Sequence, residues 1–316
     1  MKKILVAVPF TEDQKDKLRS IGKDCDFHFD AASGFSDEDI RTANVIIGNI
    51  SPAKLNHPAS LEWMQLNSAG ADAYVKEGIL CDTTVLTNAK GAYNVSVAEH
   101  AMALLMMLEK KLYLCRDAQS RSEWADIASV GSPYGQTVVI TGYGNIGRYL
   151  AKIIKPLGCK VIGITRTNTS DPGDADEIYT SDRINEILPT ADAVVSFLPG
   201  TEESLNYYNA EKFALMKPGA LLVNCGRGSS VDQDALYDAL TSGKLGAAAL
   251  DVTVPEPLPA ESPLWKLENL VITPHSAGGY RMDLTLDVIM KIVSDNLSNY
   301  IEGKPLNNIV DKKLGY

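Results

Sequence analysis

The sequence predicts an α/β fold built on parallel sheets, and three observations carry that prediction. Nine short apolar runs suited to buried strands recur, at 4–8, 45–48, 63–66, 85–87, 138–141, 161–165, 193–196, 221–224 and 247–251. Helix-like stretches separate most of them, as parallel neighbours require, because a parallel pair needs a long crossover. The chain has 316 residues and 45% hydrophobic content, enough for two domains that each bury a core.

The elements follow in order. Met1 and two lysines lead straight into the first run, Ile4-Leu5-Val6-Ala7-Val8, which is too short for a signal-peptide core and has no small-residue cleavage site after it. The cytoplasm is the expected compartment. Runs at 45–48, 63–66 and 85–87 complete a first strand series. Residues 96–118 are strong helix formers unbroken by Gly or Pro, which predicts one long helix. Gly131-Ser132-Pro133-Tyr134-Gly135 marks a loop, and Val138 opens a second strand-helix series. From 280 to 302 the spacing is helical again, with Leu284, Val288, Ile289, Ile292, Val293 and Leu297 on one face. Such a helix can pack back on the first domain.

Composition excludes several classes of function. A formal net charge of -10 repels phosphodiester backbones, so nucleic acid is not an expected partner. The longest apolar run, 101–108, lies between Glu99 and Glu109 and is far shorter than the roughly 20 residues of a membrane span. Five scattered cysteines, none in a Cys-x-x-Cys pair, read as reduced thiols, and no metal site is expected.

One motif points to a cofactor. The strand 137–141 runs into Gly142-Tyr143-Gly144-Asn145-Ile146-Gly147, and a helical stretch follows. In this setting Gly142 allows a tight turn, Gly144 lets the backbone approach a pyrophosphate, and Gly147 permits close helix packing. Free amides at the helix start receive the anion. The bland reading is a Gly-rich turn of a core α/β unit, but the strand, the helix and a second strand at Val161 favour dinucleotide binding.

Three polar residues downstream sit at strand ends, where open α/β sheets hold their ligands. Arg227 lies in Asn224-Cys225-Gly226-Arg227-Gly228, Glu256 lies in Val254-Pro255-Glu256-Pro257, and His275 lies in Thr273-Pro274-His275-Ser276-Ala277-Gly278. Each alone reads as a structural or solvated residue. Together, after a dinucleotide motif, they fit one chemistry. Hydride transfer to a keto acid builds negative charge on the carbonyl oxygen, so the site needs a proton donor near neutral pH, and histidine suits that best. A carboxylate such as Glu256 favours imidazolium, and a guanidinium such as Arg227 grips a carboxylate in two-point contact while polarising the adjacent carbonyl.

At this point the chain resembles the D-isomer-specific 2-hydroxyacid dehydrogenases over nearly its whole length. The resemblance rests on the glycine motif, Phe197-Leu198-Pro199, Met216-Lys217-Pro218-Gly219-Ala220, Asn224 to Gly228, Leu250-Asp251-Val252, Glu256-Pro257, Pro263-Leu264-Trp265 and Thr273-Pro274-His275. It implies a Rossmann-type dinucleotide-binding domain at 99–279 and a flavodoxin-like substrate domain from 1–98 and 280–316. It assigns substrate binding to Arg227, the carboxylate partner to Glu256 and the acid/base to His275. It places Leu198, Pro199, Cys225, Gly226, Asp251 and Gly278 around the cofactor, with Asp251 near the nicotinamide carboxamide, although a strand-end cap is an equal reading of that residue. The resemblance also implies that backbone amides of Asn67-Ser68-Ala69-Gly70 help bind the substrate carboxylate, and that Tyr93-Asn94-Val95-Ser96 lies beside the cleft. Gly70 is a single glycine where many relatives carry Gly-x-Gly. The family dimerises, and the apolar helix at 101–114 is either that contact or intramolecular core.

In NAD-binding relatives of this fold an acidic residue ends the second strand, about 20 residues past the glycines. Here that position is Thr165, followed by Arg166, Thr167 and Asn168. A missing carboxylate and a neighbouring guanidinium favour NADP over NAD, because Arg166 can pair with a 2′-phosphate. The substrate class is a small 2-keto or 2-hydroxy acid. Pro263-Leu264-Trp265 and Pro274-His275-Ser276-Ala277 look like the glyoxylate/hydroxypyruvate reductase branch. Two alternatives share the motifs: a dinucleotide-sensing binding protein of the corepressor type, and a formate- or phosphite-type oxidant.

Overall fold

The first apolar run forms strand β1 (Lys2–Val6), where Ile4, Leu5 and Val6 are fully buried. Helix α1 (Glu12–Ile21) begins where Thr11 and Gln14 close a reciprocal capping box, which satisfies donors that a first turn leaves open. Strand β2 (Cys25–Phe29) leads to helix α2 (Asp37–Thr42), capped in the same way by Ser36 and Asp39. Strands β3 (Val45–Ile47), β4 (Trp63–Gln65) and β5 (Val85–Thr87) follow. All pairings are parallel and the order is β2-β1-β3-β4-β5, a doubly wound sheet whose winding reverses between β1 and β3.

A second series then begins. Helices α3 (Asn94–Glu109) and α4 (Leu112–Ser120) precede β6 (Thr137–Thr141), α5 (Asn145–Ile154), β7 (Lys160–Thr165) and β8 (Glu177–Thr180). After α6 (Ile184–Ile187) come β9 (Ala193–Ser196), α7 (Ala210–Leu215), β10 (Ala220–Asn224), α8 (Gln233–Thr241), β11 (Leu245–Leu250) and β12 (Leu270–Ile272). These strands form a second parallel sheet in the order β12-β11-β10-β9-β6-β7-β8. Its switch point lies between β6 and β9. Val139, Ile162, Val194, Leu222 and Ala248 pack with Tyr208, Phe213 and Leu236 in one core, while α3 and α5 pack together, with α3 against β10 and β11.

The last helix, α9 (Asp283–Ile301), returns to the first sheet beside α1, where Gln14 Nε2 donates to Asp287 Oδ1 at 3.2 Å. Its buried Asn296 donates to Gln65 Oε1 at 2.9 Å and to Asn307 O at 3.0 Å, so a polar group inside the helix face is satisfied by β4 and by the segment that follows α9. The structure, a computed structural model, describes residues 1–127, 129–167, 171–280 and 282–314. It divides into two units, Met1–Tyr93 with Gly279–Tyr316, and Asn94–Gly278.

The α/β class and the two parallel sheets stand as the sequence predicts, with three departures in detail. The long helix at 96–118 is two helices. The break falls at Lys111, which takes a left-handed conformation (φ 50°) with no glycine to announce it. Three strands fall outside the nine runs: β2 and β8 mix polar and apolar residues at sheet edges, and β12, Leu270-Val271-Ile272, is apolar but short and also lies at an edge. The buried face of α9 is turned, with Thr285, Ile289, Met290, Val293 and Leu297 inside and Leu284 49% exposed.

Candidate active site

The glycine loop sits at the switch point of the seven-stranded sheet. Phe197 N donates to Thr141 O at 2.9 Å across that point, and the approach leaves no room for a side chain at Gly142. Gly142 has φ +70°, and a Cβ there would lie 2.7 Å from the Phe197 carbonyl. Gly147 is close-packed too, since its Cβ would lie 3.1 Å from Ile140 Cγ2. Gly144 caps α5 and faces open space, where a Cβ would meet only Gly142 O at 4.0 Å. Asn145 and Ile146 open the helix, whose first amides have no intrahelical partner and lie at its positive end. A cradle closed behind by backbone and open in front at Gly144 fits the pyrophosphate of a dinucleotide.

Tyr143 anchors this loop to β7. Its hydroxyl donates to Pro172 O at 2.9 Å, its amide donates to Ile164 O at 3.0 Å, and its ring lies against Gly163, where a Cβ would come within 2.6 Å. At the end of β7 the Thr165 hydroxyl donates to Thr167 O at 2.8 Å, so its one hydrogen is used inside the turn. Arg166 and Thr167 are exposed, and Asn168 lies outside the described residues. After β9, Leu198 N donates to Ser196 Oγ at 3.5 Å, and the Pro199 carbonyl accepts from Ser204.

Arg227 leaves the end of β10 on a rigid loop. Its carbonyl accepts from Asn224 Nδ2 at 3.0 Å and Ser230 Oγ at 2.7 Å, and its Nη1 donates to Gly226 O at 3.0 Å. Both flanking glycines are backbone contacts. A Cβ at Gly226 would lie 2.5 Å from Leu198 O, and one at Gly228 would lie 2.2 Å from Thr253 O. Cys225 is buried, which pushes its thiol up, with the Asp251 charge adding to the effect.

Glu256 and His275 meet. His275 Nδ1 lies 2.9 Å from Glu256 Oε2, and Glu256 Oε1 accepts from Thr253 N at 3.1 Å. A carboxylate only accepts, so Nδ1 is the donor and Nε2 is left for other work. The imidazole is 51% exposed. His275 itself has φ +47°, rare for a residue with a side chain. Its amide donates to Asp251 O at 2.8 Å. The buried Asp251 carboxylate ties down both sides of this turn. Oδ1 accepts from Thr273 Oγ1 at 2.5 Å and Ser276 N at 2.8 Å, and Oδ2 accepts from Ala277 N at 3.1 Å. Burial pushes Asp251 up, but hydrogen bonds from His100, Thr273, Ser276 and Ala277 outweigh it and hold the carboxyl below its usual range. Gly278 follows as the last residue of this unit.

In the other unit, Asn67-Ser68-Ala69-Gly70 follows β4. Asn67 and Asn49 exchange side-chain to amide bonds of 2.7 and 3.0 Å, Asn49 Nδ2 donates to Ser68 Oγ at 3.0 Å, and Asn88 Nδ2 donates to Ala69 O at 2.8 Å. Tyr93 donates to the Asn67 carbonyl. The loop is therefore held by Asn49, Asn88 and Tyr93, and the Asn67 amide is engaged by Asn49. Asn49 and His100 escape sequence inspection, because a lone Asn after a strand and a lone His on an apolar helix carry no motif.

A parallel sheet with a glycine turn at its switch point that fits a pyrophosphate, and with a histidine-carboxylate pair at the same end of its strands, is the architecture of a nicotinamide-dependent oxidoreductase. The chain belongs to the D-isomer specific 2-hydroxyacid dehydrogenases, NAD(P)-dependent enzymes, and residues 102–277, more than half of it, match the NAD-binding domain of that family. Among curated relatives, a glyoxylate reductase from Korarchaeum cryptofilum is 32% identical over 235 residues, covering 72% of this chain and 70% of that protein. A D-isomer specific 2-hydroxyacid dehydrogenase family protein from Aeromonas salmonicida subsp. salmonicida A449 superposes with a TM-score of 0.84 at 30% identity, covering 98% of this chain and 99% of that one. The family enzyme from Xanthobacter autotrophicus Py2, solved with NADPH and MES, gives a TM-score of 0.83 at 26% identity, covering 100% and 99%. The chain spans 60% of the length of the D-3-phosphoglycerate dehydrogenase from Methanocaldococcus jannaschii, to which it is 29% identical over 320 residues and 98% of its own length.

Proposed function

We propose that this chain reduces a small 2-keto acid to the D-2-hydroxy acid, or runs the reverse reaction, with His275 as the group that gives and takes the proton. The observation that carries this reading is the 2.9 Å contact between His275 Nδ1 and Glu256 Oε2, formed past the carboxyl ends of β11 and β12, the same end of the parallel sheet at which β6 opens into the glycine turn. When bound, the nicotinamide cofactor supplies the hydride for the keto carbon. The chain's residues do the rest. With Nδ1 donating to Glu256, a proton for the carbonyl oxygen has to leave from Nε2, so the working form for reduction is the imidazolium. Glu256 accepts from Nδ1 and fixes the plane of the ring. Arg227 grips the substrate carboxylate with its planar fork and draws charge from the adjacent carbonyl. Proton balance is simple: Nε2 loses one proton for each hydride accepted, and solvent restores it.

Glyoxylate or hydroxypyruvate is the proposed substrate. The support is the Pro263-Leu264-Trp265 and Pro274-His275-Ser276-Ala277 pattern together with the likeness to a glyoxylate reductase. NADPH is the proposed cofactor, supported by Thr165 and Arg166 where NAD enzymes carry an acid, and by the NADPH-bound relative. A cytoplasmic homodimer is proposed as the working form, in keeping with five free thiols. The test is a panel of glyoxylate, hydroxypyruvate, pyruvate, ketopantoate and longer 2-keto acids, followed by reduced-cofactor absorbance. Turnover fastest with one of the first two supports the reading, and no turnover with any of them overturns it.

A further inference from the structure

We propose that His100 is a positioning residue for the proton-transfer step, holding the turn that carries His275 through Thr273 and Asp251. The inference rests on the reading of His275 as the acid/base. His100 lies in the second turn of α3, with a side chain 24% exposed. Its Nε2 stands 3.1 Å from Thr273 Oγ1 and 3.4 Å from Asp251 Oδ1.

The direction of these bonds follows from counting hydrogens. Thr273 has one hydroxyl hydrogen, and its 2.5 Å contact with the carboxylate Oδ1 of Asp251 uses it. Thr273 Oγ1 can therefore only accept from His100, so Nε2 of His100 carries a proton. The other tautomer would need the threonine hydrogen for itself and would break the bond to Asp251. A chain of donors results, from His100 Nε2–H to Thr273 Oγ–H to Asp251 Oδ1. The carboxylate at its end holds the amides of Ser276 and Ala277 at 2.8 and 3.1 Å, one and two residues past His275. His275 is in a left-handed conformation at φ +47°, which persists only where surrounding bonds dictate it. The 2%-exposed Asp251 is the hub of those bonds, and His100 is a basic group in its reach. The His100 and Thr273 side chains are not among the residues placed around the cofactor, and their replacement leaves Asp251 bonded to the Ser276 and Ala277 amides, so the loss should fall on proton transfer and leave cofactor affinity nearly unchanged.

Two substitutions separate a donor from mere bulk. His100→Phe keeps a ring and removes the donor, whereas His100→Gln returns an uncharged N–H at similar reach. We expect kcat for keto-acid reduction to fall about tenfold in His100→Phe and to recover to within about threefold of the parent in His100→Gln. Dissociation constants for reduced cofactor, read by fluorescence titration, should stay within about twofold in both. If His100→Phe folds poorly, Thr273→Val removes the same link from its other end and should show the same deficit in kcat. In the double variant the two losses should not add, since either change breaks one chain. Parent-like kcat in His100→Phe or in Thr273→Val, a Gln variant as slow as the Phe variant, or additive losses would each overturn the proposal. His275→Gln is measured in parallel: if it retains turnover, the acid/base reading fails and the proposal with it. A dead His275→Gln beside an unimpaired His100→Phe defeats the positioning role alone.

Discussion

His275 meets the surrounding chemistry through two different atoms, and this separates the residues that act on it. Glu256 holds Nδ1 of the ring, while the Asp251 carboxylate holds the Thr273 hydroxyl before His275 and the Ser276 and Ala277 amides after it. Replacing His275 by Gln should lower kcat by on the order of 10²- to 10⁴-fold and leave cofactor binding intact, because the donor to the carbonyl oxygen is lost and the cradle is untouched. Steady-state rates beside a cofactor titration check this, and near-normal turnover would remove His275 from the mechanism. The backbone on both sides of Arg227 is closely packed at Gly226 and Gly228, and its Nη1 donates to Gly226 O. Arg227→Lys should therefore cost about 10²-fold or more in kcat/KM for the keto acid, since an ammonium lacks the fork. An unchanged kcat/KM would show that no carboxylate is gripped there.

Among the elements, the turn from β6 into α5 allows a sharp comparison between two glycines. Gly142 has positive φ and a backbone neighbour at 2.7 Å, so Gly142→Ala should destabilise the fold by about 1–3 kcal/mol and weaken cofactor binding as well. Gly144 has free space, so Gly144→Ala should leave the melting temperature of the cofactor-free protein unchanged and still weaken cofactor binding by about tenfold or more, because the added methyl fills the space meant for the pyrophosphate. Equal cofactor affinity in Gly144→Ala and the parent would contradict the cradle. At the other end of this unit, α3 ends on Glu109, 3% exposed, at the negative end of the helix. Its Oε1 and Oε1 of Gln136 are buried without a hydrogen-bond partner among the described residues. Burial pushes the Glu109 carboxyl up, and the Asp192 charge adds to this against the lowering effect of Gln136 and Lys110. A raised folded value means the folded state holds the proton more tightly, so the stability contribution is full below the unfolded value of about 4.3 and is lost as pH rises through the folded one. Glu109→Gln escapes that loss and supplies a donor for Gln136. It should stabilise by about 1 kcal/mol at pH 7.5, raising the melting temperature by about 2–4 °C, with the gain shrinking toward pH 4. Thermal melts at the two pH values check this, and a gain that does not depend on pH would be the contrary result.

For the whole molecule, cofactor choice is the property most open to measurement. The Thr165 hydroxyl is used inside its own turn, which leaves Arg166 as the residue to which a 2′-phosphate preference is attributed. The parent should show a higher kcat/KM with NADPH than with NADH, and Arg166→Ala should reduce that ratio by about tenfold. A parent that prefers NADH, or a ratio indifferent to Arg166, would refute the assignment. Sedimentation of the intact chain should show a dimer, and a monomer at micromolar concentration would reject that part of the proposal.

What the sequence by itself determined is what short stretches encode through their own spacing. Apolar runs alternating with helical stretches dictate parallel sheets, Gly-x-Gly-x-x-Gly between a strand and a helix dictates an anion-binding turn, and Arg227, Glu256 and His275 can be picked out because each directly follows a strand or an abrupt loop. Tertiary structure alone decided everything that depends on partners distant in the chain. Edge strands β2 and β8 exist because a neighbour offers hydrogen bonds, although their residues alternate poorly. Lys111 breaks a stretch of strong helix formers, and Thr165 turns its hydroxyl inward toward Thr167. The distance from His275 to Glu256, 19 residues apart, and the link from His100 to Thr273, 173 apart, are products of the sheet order. The physical reason is one of range. Hydrophobic periodicity and turn chemistry act over a few residues and are written locally, whereas a hydrogen bond between side chains of separate elements forms only after packing has set their distance to within a fraction of an ångström.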